Sequence, residues 1–285
     1  MARFEFRLAI VVLVVLAMLA LFPTAFSGFD PWNTGASALS PPSSTHPLGS
    51  DALGRDTWSR VVHSARTSLL VGLLATSVAL VIGGAVGLAA GTLGGWIDEA
   101  LMRVTELLDA FPALLLALFL VALWGPGLMQ ISFAIGISGW SGVARVLRVG
   151  IVTTRAEGFV VAAKAMGASP MRVAFHHLLP QALAPLLVLL PFRIEAAIIA
   201  EASLSFLGFG DLAYPSWGGM LRDAQPFLRD AWWLVVGPGI LLLLTVFALS
   251  LVADHLQQKN NPQLNRRNSK RSQTSPTQTP PVIID

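Results

Sequence analysis

Three ionisable side chains, Arg193, Glu195 and Glu201, sit inside one long apolar run, Ala182 to Leu207. A charge at membrane depth is costly, and such groups face a water-filled cavity or a partner charge. Arg193 and Glu195 are two apart, so on a helix they do not face each other and make no local pair. Glu106 and Asp109, three apart, share a helical face and invite a proton-relay reading; beside Arg103 they read equally as solvated or paired carboxylates. His176 and His177 point about 100° apart on a helix and have no third ligand nearby, so they do not make a metal site. The lysines Lys164, Lys259 and Lys270 follow no Gly-x-x-x-x-Gly, so the chain cannot build the usual phosphate cradle. With no cysteine, disulfides, thiolate metal sites and cysteine nucleophiles are excluded. No catalytic constellation can be assembled from what remains.

These residues must be held by helices in a bilayer. Hydrophobic residues make up 54% of the 285-residue chain and charged residues 12%, against about 25% charged in an ordinary soluble domain. Runs of about 20 apolar residues, enough to span the hydrocarbon core as helix, occur at Leu8 to Phe26, Ser68 to Leu93, Leu107 to Trp124, Leu128 to Ala144, Ala182 to Leu207 and Trp232 to Ala253. The expectation is an all-α integral membrane protein with about six spans. With the N-terminus inside, Arg3, Arg7, Arg103, Arg145, Arg148, Arg155, Lys164, Arg172, Lys259, Arg266, Arg267, Lys270 and Arg271 fall on the cytoplasmic side, and Arg55, Arg60, Arg66, Arg222 and Arg229 opposite. That bias satisfies the positive-inside rule with both termini cytoplasmic, and it accounts for the basic balance without nucleic acid. Arg3 and Arg7 before an apolar stretch, with small residues around Ala25-Phe26-Ser27, also fit a cleaved secretory signal; the full spanning length favours a retained helix.

The organisation expected is an N-terminal transmembrane helix (1–26), an external loop (27–67), a transmembrane core (68–254) carrying a cytoplasmic loop (155–180), and a disordered tail (255–285). In the external loop a Pro-, Ser- and Gly-rich half precedes a short interfacial helix. Asp56 or Thr57 can cap it, and Trp58, Val61, Val62 and Ala65 lie together with Arg60 and His63 elsewhere. The second span carries Gly72, Gly83, Gly84, Gly87 and Gly91, as expected of a tightly packed bundle helix. Pro112, Pro185, Pro191 and Pro238 fall in or near spans and tend to kink them.

The loop between the fourth and fifth spans has a pattern of its own. Phe159, Ala163 and Met166 recur at i, i+4 and i+7, on a helix expected to continue from the fourth span. Gly167 stands where a C-terminal cap belongs, and Ser169-Pro170 is a helix-start signal. The new helix puts Met171, Phe175 and Leu178 on one face and ends at Pro180. Exposed apolar residues on such an elbow fit either a docking element for a partner's groove or a loop folded back on the bundle.

Here the residues resemble a family. AAKAMGASPMRVAFHHLLP is similar to the Glu-Ala-Ala coupling loop of permease subunits in binding-protein-dependent ABC importers, matched at Ala162, Ala163, Gly167, Leu179 and Pro180. Val161 stands where the motif often has Glu, and a valine can make no ion pair from that position. HPLGSDALGRDTWSRVVHSARTSL resembles the external segment of the dipeptide, oligopeptide and nickel permeases, in their C-type second subunit, through Gly49, Asp51, Gly54, Arg55, Asp56, Arg60 and Arg66; Ser50 replaces the commoner Thr. AEASLSFLGFGDLAYPSWGGML resembles the same subunit's signature at the end of the fifth span.

The resemblance implies a type I importer fold with a coupling helix between the fourth and fifth spans. It also implies a second permease subunit, two cytoplasmic ATPases and an external substrate-binding lipoprotein. This chain would then hold no cofactor, ATP and Mg being bound by the ATPases, and would be a non-catalytic subunit. The coupling loop would dock the ATPases through Ala162, Ala163, Gly167, Ser169, Pro170, Met171, Phe175, Leu178, Leu179 and Pro180. Glu201, with Ser203 and Ser205, is expected to line the translocation path or its outer gate; a structural charge between the two permease subunits is the alternative. The substrate implied is a peptide, with nickel, glutathione or another small solute as alternatives. An ion-coupled secondary transporter would call for inverted repeats with broken midplane helices, and none is seen.

Overall fold

The computed structural model describes residues 2–211 and 213–260. The expected tail is helical as far as Asn260, and its remainder lies outside the described residues.

Helix α1 (Ala2–Leu21) gives way at Phe22 to the single turn α2 (Pro23–Phe26), where proline at the first position starts a new helix. Loop 27–56 then leads into α3 (Thr57–Leu93), one uninterrupted helix of 37 residues. The interfacial helix expected before the second span is therefore not separate. Asp56 caps α3 by accepting the Ser59 N–H, and no proline interrupts the residues after it. At about 1.5 Å per residue the helix is about 55 Å long, more than the bilayer needs.

The third and fourth spans are broken. Helices α4 (Gly95–Asp109) and α5 (Ala113–Trp124) meet at 84°. Pro112 is the cause: it pushes the residue before it out of the α region, and its own ψ of 122° is not helical. Helices α6 (Leu128–Gly139) and α7 (Ser141–Arg155) bend by 45° at Trp140, and α7 runs well past the expected end at Ala144. Among the described residues four helices are long and apolar enough to cross a membrane, or up to six if each bent pair is one span.

After Ala156 and Glu157 comes α8 (Gly158–Ala165), a separate helix rather than the continuation of the fourth span. Helix α9 (Pro170–Val173) then passes through a π-helical turn, Ala174–Leu178, straight into α10 (Leu179–Leu204). Pro180 does not end the helix, contrary to expectation. In the wide turn the Leu179 N–H reaches back five residues to the Ala174 carbonyl, and such a bulge relieves the crowding a proline ring imposes on the preceding turn. A second π turn, Ser205–Phe209, closes α10. Helix α11 (Trp217–Ala224), a 3-10 turn (Gln225–Phe227) and α12 (Trp233–Asn260) complete the chain.

Helix α3 is the hub, packed on α7, α6 and α10, while α1 and α12 lie side by side at its flank. Its seam with α7 is glycine-lined. A Cβ at Gly83, Gly87 or Gly91 would come within 2.5, 2.5 and 2.8 Å of Trp140, Ala144 and Ile151. Backbones meet there, which is how helices associate where apolar burial supplies no drive. Loop 27–56 and α11 share one end of the bundle. The elbow, residues 156–178, lies at the other, where Phe6 of α1 stacks on His255 of α12 with ring centroids 4.1 Å apart.

Candidate functional site

The elbow is a local product of its caps. Gly167 takes φ +85°, a conformation open to glycine, and the Ala168 N–H closes back on the Ala163 carbonyl at 3.0 Å. Two residues later the Arg172 N–H donates to Ser169 Oγ at 3.3 Å, starting α9. The corner is pinned from beneath: Val160, Val173 and Leu178 pack with Leu147 and Ile151 of α7 and Ala182 of α10. Leu178 is thus 3% exposed and belongs to the core rather than to the outward stripe, because the π turn rotates it inward. Ala163 is buried too, and Leu179 is partly buried against the same cluster. Met166 (83% exposed), Met171 (70%) and Phe175 (46%) face outward. Beside them stand the exposed Val161, Ala162, Ser169 and Pro180. Phe159 is held by His177, ring centroids 6.2 Å apart. Among the described residues no group of three metal-ligating side chains forms, and His176 and His177 belong to this elbow.

At the opposite end six of the seven external signature residues come together. Gly49 and Gly54, at φ +62° and +72°, let the loop fold so closely that a Cβ would lie 2.3 and 2.2 Å from the carbonyls of Ser40 and Ala36. That fold aims Asp51 at two arginines: Oδ2 accepts from Arg55 Nε at 2.7 Å and from Arg60 Nη1 at 2.5 Å, and Oδ1 accepts the N–H groups of Leu53 and Arg55. Arg60 also reaches Asp223 of α11 at 3.4 Å. Burial opposes ionisation of Asp51, but the Arg55 N–H and the two guanidiniums outweigh it and hold its carboxyl below the usual range. Arg60, expected on the polar side of a surface helix, is buried in this clasp. Asp56 caps α3 and takes His46 Nδ1 at 2.8 Å. Arg66 stays outside the cluster, exposed and lining a separate cavity of about 1140 Å³ with Phe29, Trp32 and Tyr214.

The interior charges separate. Glu201 is 1% exposed, its Oε2 accepting from Ser68 Oγ at 3.1 Å and its Oε1 from Ser205 Oγ at 2.7 Å. Its carboxylate is enclosed by hydroxyls of its own chain. Helix α11 covers this turn: the Trp217 N–H bonds Ser68 Oγ, and a Cβ at Gly218 would lie 2.3 Å from the Ala202 carbonyl oxygen. Ser203 turns away, donating to the Ile199 carbonyl. Glu195 accepts from Ser250 Oγ of α12 at 2.8 Å. Glu106 pairs with Arg103 at 3.1 Å, and Asp109 pairs closely with Arg145. Sequence reasoning missed Ser68, Asp223 and Trp217 around these groups. The hydroxyls in apolar runs were the available signal; Asp223, 163 residues from Arg60, gave none.

Comparison with known proteins agrees with this architecture. Residues 79–266 match the family model described as "Binding-protein-dependent transport system inner membrane component". The dipeptide transport system permease protein DppC of Alkalihalophilus pseudofirmus is 38% identical over 263 residues, covering 90% of this chain and 86% of that one. The oligopeptide transport system permease protein OppC of Bacillus subtilis is 34% identical over 259 residues, covering 90% and 85%. The glutathione transport system permease protein GsiD of Pectobacterium atrosepticum is 37% identical over 224 residues, covering 78% and 74%. Among solved structures, the inward-facing MetNI methionine ABC transporter superposes with a TM-score of 0.53 at 19% identity, over 69% of this chain and 96% of that one. This likeness shows the fold, that of a type I ABC importer permease.

Proposed function

Because the chain belongs to the family of binding-protein-dependent transport system inner membrane components, we propose that it forms half of the pore of an ATP-driven importer of peptides. A second permease subunit supplies the other half. Two ATPases grip the elbow, and a substrate-binding lipoprotein delivers peptide to the loop end. The names of the dipeptide and oligopeptide relatives support the substrate class. Glutathione, itself a tripeptide, stays within it and is favoured by the relative named for it. The elbow end and both chain termini face the cytoplasm in this reading, supported by the basic residues gathered there.

One observation carries the proposal. Met166, Met171 and Phe175 are held outward on a corner whose other side is locked into the core by Val173 and Leu178. A rigid apolar edge of this kind fits a groove on another protein. ATP binding and hydrolysis, with the Mg ion, fall to the ATPases, because this chain has no Gly-rich lysine cradle. Its part is to occupy two arrangements of its helices that the ATPases bias, which takes about 5.5 kcal/mol of differential binding to swing fully.

Replacing Phe175 with Asp tests this. The variant permease pair is expected to lose copurifying ATPase and substrate-stimulated ATP hydrolysis while remaining in the membrane. Copurification and stimulation at the wild-type level would refute the docking role. Solute accumulation by the permeases reconstituted without ATPases would refute the ATP-driven reading.

A further inference from the structure

Near the middle of α10 stands a cation the architecture leaves uncompensated. Among the described residues Arg193 forms no hydrogen bond or ion pair, and the charge that acts on it is the carboxylate of Asp109, already engaged by Arg145. Two guanidiniums share one carboxylate, which leaves one positive charge over. At membrane depth such a surplus is costly unless an anion meets it. The guanidinium rests against the α6–α7 joint: a Cβ at Gly139 would lie 2.7 Å from one of its nitrogens, and at Gly142 3.6 Å from another.

Beside it opens a cavity of about 110 Å³ where α3, α5, α6 and α10 converge, walled mostly by small residues such as Ala75, Ala117, Ser138 and Ala197. Thr76 lines it as well. This residue is 4% exposed, and its hydroxyl has no hydrogen-bond partner among the described residues. A buried hydroxyl without an acceptor normally costs about 1–3 kcal/mol, so its persistence next to an unmatched cation marks a place for an anion with oxygen acceptors. The cavity has room for several waters, and so for a carboxylate group.

We propose that Arg193 and Thr76 form an intramembrane subsite that receives the C-terminal carboxylate of a peptide in transit. This rests on the peptide-importer reading above and gives it a contact that every linear peptide can make regardless of side chains. Its position against the α6–α7 joint places the carboxylate where two broken spans meet.

The complete transporter, with its binding protein and ATPases, is reconstituted in vesicles, and uptake of labelled alanyl-alanine and of its C-terminal amide is measured. Each is expressed as variant over wild type, so that selection by the binding protein cancels. Arg193→Gln is expected to lower uptake of the free acid about tenfold or more, the effect of losing a charge-assisted hydrogen bond, with the amide ratio near one and Arg193→Lys restoring part. Thr76→Val, near-isosteric and uncharged, is expected to lower free-acid uptake several-fold. Equal losses for both peptides, or no loss for either, would overturn the proposal and mark Arg193 as a structural charge. If the wild type imports the acid alone, Thr76→Val decides, and unchanged uptake overturns the subsite. A wild type that turns over ATP but imports neither these dipeptides, longer peptides nor glutathione would bring down the peptide reading itself, and the subsite with it.

Discussion

Gly84 and Gly87 are three residues apart on α3, and the structure makes opposite demands of them. A Cβ at Gly87 would lie 2.5 Å from the Ala144 carbonyl oxygen and 3.0 Å from Leu147 Cβ, whereas at Gly84 nothing lies within 4 Å. An unstrained C···O contact is about 3.3–3.6 Å, so Gly87→Ala must part α3 from α7 by roughly 0.8 Å or more. The atom struck is helix backbone and cannot swing aside. A gap of that size forfeits a quarter to a half of each contact's attraction of about 0.1–0.2 kcal/mol. Over about forty atom pairs, the number a buried leucine makes, this comes to about 2 kcal/mol, within the usual 1–3 kcal/mol of overpacking. Replacing a helical glycine returns up to about 1 kcal/mol. Gly87→Ala is therefore expected to lose about 1 kcal/mol net, and Gly84→Ala to be neutral or slightly more stable. Thermal unfolding of the purified variants in one detergent, followed by loss of the monodisperse species, reads the difference. Equal destabilisation by both substitutions, or none by Gly87→Ala, would refute the close-packed seam.

Two further outcomes follow from the buried carboxylates. Glu201→Ala strands the hydroxyls of Ser68 and Ser205 and is expected to cost about 1–3 kcal/mol per unmet group. Glu201→Gln keeps an acceptor and should cost clearly less in the same unfolding assay; equal losses would argue against the hydroxyl cage. Asp51 has a folded pKa held below its unfolded value, so its contribution is fully present above about pH 4 and is lost as pH falls through the folded value. Protection of loop 27–56, its hydrogen-exchange rate taken relative to the intrinsic rate at the same pH, should therefore fall in acid in the wild type. Asp51→Asn should be less protected at neutral pH with a flatter acid limb, and an unchanged profile would count against the clasp.

What the sequence shows well is what neighbours in the chain decide. The caps at Asp56, Gly167 and Ser169-Pro170 need only a few adjacent residues, and each stands where the pattern places it. The apolar runs likewise mark every span. Their continuity is less legible: Pro112 breaks a run at 84° while Pro180 leaves the helix intact. The difference lies in the turn before each proline, and residue types alone do not encode it. Leu178 reads as outward on an ideal 3.6-residue period and turns inward through the π turn. The surroundings of Glu201 and Arg60 depend on Ser68 and Asp223, 133 and 163 residues away. Only tertiary packing brings those together.

From Pro170 the chain is one continuous helical body as far as Leu207, ending where Gly208 takes a φ of +100°, about 57 Å from end to end. A rod of this kind carries azimuth as well as displacement. Adding or removing one residue along its α-helical stretch would turn everything beyond by about 100°, swinging Glu201 out of reach of Ser68 while Met171 and Phe175 kept their orientation. The number of residues between the elbow and the carboxylate is thus a phase setting. The π turn at Ala174–Leu178, where the winding already departs from the α period, is the natural place for evolution to reset it.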